Sequence, residues 1–95
     1  MAKGIVWSQR ARSDLRDIYD YISKDSEVYA FNVVSRIINL VENILSFPFF
    51  GRSLPEFDIE NLRERLSGNY PIVYRIGNSQ KIEIVTIHHS SRILK

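Results

Sequence analysis

The side chains best suited to proton transfer are His88 and His89, the only two histidines of the chain. An imidazole that titrates near neutrality can serve as general base toward a ribose hydroxyl or as general acid toward a leaving oxygen. Arg63, Arg65, Arg75 and Arg92 carry planar guanidinium forks that match phosphate or carboxylate. Together these types meet the minimum needs of RNA cleavage: a base, an acid, and cations for the charge that develops on the phosphate. Each also has a plainer reading. A histidine at a strand end is commonly a hydrogen-bonded structural residue, Arg75 can pair with Glu83 across neighbouring strands, and Arg63 and Arg65 can form a solvated edge.

Other chemistries lack their residues. The chain has no cysteine, which removes thiol nucleophiles, disulfides and thiolate metal sites. There is no G-x-x-x-x-G-K-S/T loop, no G-x-G-x-x-G and no H-E-x-x-H. Adjacent histidines on a strand point to opposite faces and do not chelate one metal ion. The expectation is no cofactor, no metal and no small-molecule substrate.

The elements that must position these residues follow from periodicity. Ile5, Val6 and Trp7 are strand formers, and Ser8 is placed to cap a helix. Ala11, Leu15, Ile18 and Ile22 recur on one helical face, with Asp14, Asp17, Asp20, Arg10, Arg12 and Arg16 read as a solvated surface. After the turn residues Ser23 to Ser26, a second helix runs to about Leu45. Its stripe of Ala30, Phe31, Val34, Ile37, Ile38, Val41, Ile44 and Leu45 is wider than one partner helix needs. Pro48 ends it, and residues 47–55 read as a loop whose phenylalanines cap the core. From Leu62 the period becomes two, in runs 62–66, 70–76 and 81–89 separated by turns at 67–69 and 77–79. The fold expected is α+β: an N-terminal strand, an antiparallel two-helix hairpin, then a three-strand antiparallel meander forming one sheet packed on the helices.

Register decides which face the candidates occupy. A three-residue loop at Ser67, Gly68 and Asn69 would pair Leu66 with Tyr70 and Leu62 with Tyr74. Pairing Ile76 with Ile82 sets Arg75 against Glu83 and, further along, Val73 against Val85. The face turned away from the helices would then carry an apolar strip including Val73 and Val85, edged by Arg63, Arg65 and Arg75. Such a strip suits either an acidic amphipathic protein segment or an RNA backbone.

With 95 residues and 44% hydrophobic side chains, the chain reads as one domain, 1–95, able to fold without staples. Net charge is only +2, and residues 61–95 hold its basic part: Arg63, Arg65, Arg75, Lys81, Arg92 and Lys95 against Glu64 and Glu83, a balance of +4. The N-terminus lacks a leader pattern and the apolar runs fall short of the ~20 residues that span a bilayer, so a cytoplasmic protein without membrane contact is expected.

Over nearly its full length the chain resembles the RelE/ParE toxin superfamily. The resemblance rests on Trp7-Ser8, Ala11, Asp14-Leu15, Ile18 and Tyr21-Ile22, on Pro48-x-x-Gly51-Arg52, on Tyr70-Pro71-Ile72-Val73-Tyr74-Arg75-Ile76, and on Ile82 through His88-His89-Ser90-Ser91-Arg92. It implies the toxin of a type II, plasmid-stabilisation-like toxin-antitoxin system, blocked by a cognate antitoxin protein. The implied target is DNA gyrase, as in the ParE branch, or messenger RNA on the ribosome, as for RelE-type endonucleases. Arg63 and Arg65 match the basic pair that precedes the hairpin in the nuclease branch, and Arg92 matches the basic residue after its last strand. If the chain were a nuclease, His88, His89 and Arg92 would be its catalytic candidates; Arg63, Arg65, Arg75, Val73, Val85 and Arg92 are the candidates for target or antitoxin contact. Two departures favour the ParE branch: Pro71 stands where nucleases carry an arginine, and the sequence ends at Lys95 without their terminal tyrosine.

Overall fold

A computed structural model describes residues 4–57, 61–78 and 81–89. Strand β1, Gly4–Trp7, leads through Ser8 into helix α1, Gln9–Ser23, followed by helix α2, Glu27–Ser46. Both helices start on a serine cap: Ser8 Oγ accepts from Ala11 N and Ser26 Oγ from Tyr29 N. The meander is β3, Leu62–Ser67, β4, Tyr70–Ile76, and β5, Lys81–Ile87. Between α2 and β3 the segment read as loop contributes a two-residue edge strand, β2, Arg52–Ser53, too short and too polar to leave a period-two signal.

One mixed five-stranded sheet results, in the order β1-β5-β4-β3-β2, with β1 parallel to β5 and the other pairs antiparallel. The expected α+β architecture is present. Ile72, Tyr74, Ile82, Ile84 and Ile87 face the helices and meet Ala11, Ile18, Ala30, Ile37, Val41 and Ile44 in one core. Burial of each such aliphatic side chain stabilises by about 1.5–3 kcal/mol before entropy is subtracted.

The outer side of α2 departs from expectation. Val33, not Phe31, faces inward, and Val28, Phe31 and Ile38 are exposed, Phe31 by 65%. Length and mean hydropathy of α2, 20 residues and 1.2, reach those of a membrane-crossing helix. Its inward row, however, is committed to α1 and the sheet, and Asn32, Arg36, Asn39, Glu42 and Asn43 interrupt the outside. The surplus apolarity is a surface feature of a packed helix. The phenylalanines after α2 likewise do not cap the core: Phe47, Phe49 and Phe50 are exposed, Phe47 and Phe50 stacking on each other at 5.0 Å.

Register differs from the expectation in two places. Gly68 and Asn69 alone form the β3–β4 turn, so Ser67 pairs with Tyr70, Arg65 with Ile72 and Arg63 with Tyr74. Gly68 has φ +59°, a positive-φ conformation that the first residue of a two-residue hairpin turn takes up and that glycine adopts without strain. In β4–β5, Ile76–Ile82, Arg75–Glu83 and Tyr74–Ile84 pair as expected, but a bulge then makes Val85 an extra residue. Val73 therefore faces Thr86 in place of Val85.

Candidate functional site

Moving β3 by one residue carries Arg63 and Arg65 to the helix side of the sheet, since cross-strand partners share a face and Tyr74 and Ile72 are wholly buried there. The far-face position expected for both is corrected. Arg65 Nη1 donates to Asn43 Oδ1 of α2. Arg63 Nη1 donates to the carbonyls of Gly51 at 2.9 Å and Phe49 at 3.2 Å, and its guanidinium lies 5.1 Å from the Phe49 ring centroid. These contacts tie down the chain that leaves α2, so Arg63 has a structural task.

Tyr74 completes that tie. Its buried hydroxyl donates to Pro48 O at 2.6 Å and accepts from Gly51 N at 3.1 Å. A Cβ on Gly51 would fall 2.3 Å from Tyr74 Oη and 3.0 Å from Glu64 O. Close approach, with φ at an ordinary −72°, therefore accounts for glycine three residues after Pro48. Burial pushes the Tyr74 hydroxyl above its ordinary pKa of 10.0, against the opposing Gly51 amide, Arg63 and Arg65. It remains a protonated donor at neutral pH.

On the far face, a groove of about 300 Å³ is floored by Leu54, Phe57, Pro71 and Val73, with His88 at its rim. Its charges are already matched. Arg52 lies 3.4 Å from Glu64 and 3.7 Å from Glu56, and farther along the face Arg75 lies 3.3 Å from Glu83. An apolar strip is there, but it is built from Leu54 and Phe57 beside the expected Val73 and not from Val85, and among the described residues the arginines along this face, Arg52 and Arg75, pair with carboxylates. Val73 sits in the groove, Val85 at the bulge is half-buried, and Arg92 lies outside the described residues.

The two histidines separate as strand parity requires. His88 is exposed at the groove, and its amide donates to Pro71 O at 2.8 Å. His89 is buried, stacked on Tyr70 with ring centroids 5.4 Å apart and edge-on to Tyr21 at 5.2 Å. The pair therefore offers one accessible imidazole, not two.

Periodicity misplaced Asp14, which is only 2% exposed. Its Oδ2 accepts from Thr86 Oγ1 at 2.6 Å and Ile87 N at 3.0 Å, and Oδ1 from Arg10 Nε at 3.4 Å. Burial alone would raise its pKa, but the Thr86, Ile87 and Arg10 contacts outweigh it and hold the carboxyl below 3.8. The signal available in the sequence was positional: Asp14 stands between Ala11 and Ile18 in spacings of three and four, on the buried face itself.

A second groove, about 550 Å³, runs along the outside of the helix hairpin. Trp7, Leu15, Tyr19, Val34 and Ile38 make it apolar. Arg12 and Arg16 flank it, and neither has an ion-pair partner among the described residues. Among the described residues, no acidic side chain lines it.

Comparison with known proteins agrees with this geometry. The family model described as ParE toxin of type II toxin-antitoxin system, parDE, matches residues 5–94. A curated Sinorhizobium fredii protein named as a toxin, Y4kP, is 33% identical over 88 residues, covering 93% of this chain and 88% of that protein. The fold is shared with a chain of the chromosomal ParDE toxin-antitoxin system of P. aeruginosa, at TM-score 0.72 and 22% identity, covering 94% of this chain and 96% of that one. It is shared too with a chain of the toxin-antitoxin complex RelBE2 of Mycobacterium tuberculosis, at TM-score 0.67 and 17% identity, covering 94% and 99%.

Proposed function

Because the chain belongs to the ParE toxin family of type II toxin-antitoxin systems, we propose that it arrests growth by gripping a protein target, DNA gyrase, and does not cleave RNA. The observation that carries this reading is that, among the described residues, the far-face arginines are already paired. Binding phosphate at either of them would require Arg52 to leave Glu56 and Glu64, or Arg75 to leave Glu83. Arg63 and Arg65 are turned to the opposite side. In-line cleavage depends on donors aimed at the developing phosphate charge, each worth ~100- to 1,000-fold in rate. Pro71 supplies none at the groove. An apolar floor ringed by paired ions fits a protein surface better than a polyanion, and gyrase places the action in the cytoplasm.

The partner we assign to the helix groove is an acidic amphipathic segment of a cognate antitoxin. Its apolar side would cover Trp7, Leu15 and Ile38, and its carboxylates would meet Arg12 and Arg16. The similarity to chains of the ParDE and RelBE2 systems supports an antitoxin partner.

The test is induction of the chain alone in bacteria, followed in parallel by DNA-break signalling, cell morphology and primer extension on total RNA. DNA breaks and filamentation with intact messages are expected. Discrete message cleavages within minutes, abolished by His88→Ala, would establish the RelE-type endonuclease reading instead.

A further inference from the structure

β1 ends at Trp7, opposite Ile84, so the last residues of β5 have no strand beside them on that edge. Unpaired backbone groups at such a position are costly if buried. The start of α1 supplies what a strand would have supplied. Ser8 N donates to Ile84 O at 3.0 Å and Ser8 Oγ to Val85 O at 2.7 Å. One turn and a half further on, Asp14 Oδ2 accepts from Ile87 N and Thr86 Oγ1. Four consecutive residues, Ile84 to Ile87, are thus held by two side chains and one amide of the helix entry.

Those four residues contain the bulge at Val85. Without it, alternation from the buried Ile84 would turn Val85 outward, Thr86 inward and Ile87 outward, then His88 inward and His89 outward. The observed order is the reverse from Ile87 onward: Ile87 is buried, His88 is exposed at the groove, and His89 is buried against Tyr21 and Tyr70.

We propose that Ser8 and Asp14 form a clamp that holds the β5 bulge and thereby selects His88, not His89, as the imidazole presented to the far-face groove, where it contacts the protein target. Ser8, Asp14 and Thr86 are positioning residues: they do not line the groove, yet they decide which side chain does. The contact with the target rests on the reading given under Proposed function; the selection of His88 does not.

Two measurements separate these halves. Diethyl pyrocarbonate modification, located by tandem mass spectrometry, reports which histidine is accessible, and amide exchange at Ile87 reports the clamp. In the unaltered chain His88 is expected to react at least tenfold faster than His89. Asp14→Asn and Thr86→Val should lower Ile87 protection at least tenfold and bring the two histidine rates within threefold of each other. Thr86→Ser, which keeps the hydroxyl donor, should restore both readouts. Circular dichroism confirms which variants fold, and Thr86→Val, the milder change, carries the test if Asp14→Asn does not. Folded Thr86→Val with unchanged Ile87 protection and an unchanged His88 preference would overturn the clamp. In the induction assay, His88→Ala should abolish arrest, and Thr86→Val should weaken it while Thr86→Ser does not. Full arrest by His88→Ala, with the chemical selectivity intact, would remove the target contact and leave the clamp standing.

Discussion

Tyr74, Gly51 and Pro48 form one unit although they lie far apart in sequence. Tyr74→Phe removes the hydroxyl that serves both Pro48 O and Gly51 N and leaves two buried backbone groups unsatisfied, at about 1–3 kcal/mol each. A loss of more than about 10 °C in melting temperature is expected for a domain of this size. Gly51→Ala should cost about 1–3 kcal/mol through overlap with the hydroxyl. The double variant should be less destabilised than the sum, because Phe removes the nearest clashing atom, and a coupling below about 0.5 kcal/mol would refute the contact. Asp14 sets a pH dependence. Its folded pKa lies below the ordinary 3.8, so its contribution is present above that value and lost as pH falls through the folded pKa. Denaturation profiles of the unaltered chain and Asp14→Asn should therefore converge only below about pH 4; a constant difference down to pH 2 would contradict the assignment.

At the scale of elements, two short features set the register of the whole sheet. The Gly68-Asn69 turn places Arg63 and Arg65 on the helix side, and its first residue has φ +59°. Gly68→Ala should cost about 1–2 kcal/mol through left-handed strain, whereas Gly68→Asn, a residue that tolerates this region, should cost less. Equal melting temperatures for the two variants would mean that the turn relaxes. The β5 bulge does the same for His88 and His89, and its support comes from α1, an element in contact with β5 only after the chain has closed on itself.

For the whole molecule, the sheet separates two surfaces. The helix groove is apolar with arginines that have no ion-pair partner among the described residues; the far-face groove is apolar with paired ions. Ile38, 39% exposed in the helix groove, is a test of the antitoxin assignment. Ile38→Asp should weaken antitoxin binding by about 30-fold or more, equivalent to ~2 kcal/mol, as for an interface anchor. Melting temperature should change little, and Trp7, the only tryptophan, reports occupancy of the same groove by its fluorescence. Undiminished affinity would place the antitoxin elsewhere.

The sequence by itself determined the fold class, the order of the main elements, the serine caps and the apolar row of α1, because these follow from periodicities of 3.6 and two and from local cap and turn chemistry. It also determined the family, through residues whose spacing the fold then explained: Pro48 and Gly51 by their shared bond to Tyr74, Asp14 by its bonds to β5. Only the tertiary structure decided the faces. A single residue more or less in a turn or strand reverses every side chain beyond it; this moved Arg63 and Arg65 off the far face and chose His88 over His89. The pairing of Arg52 with Glu56 and Glu64 likewise needed β2 beside β3. Such pairings depend on the closed chain, and period and propensity carry no record of them.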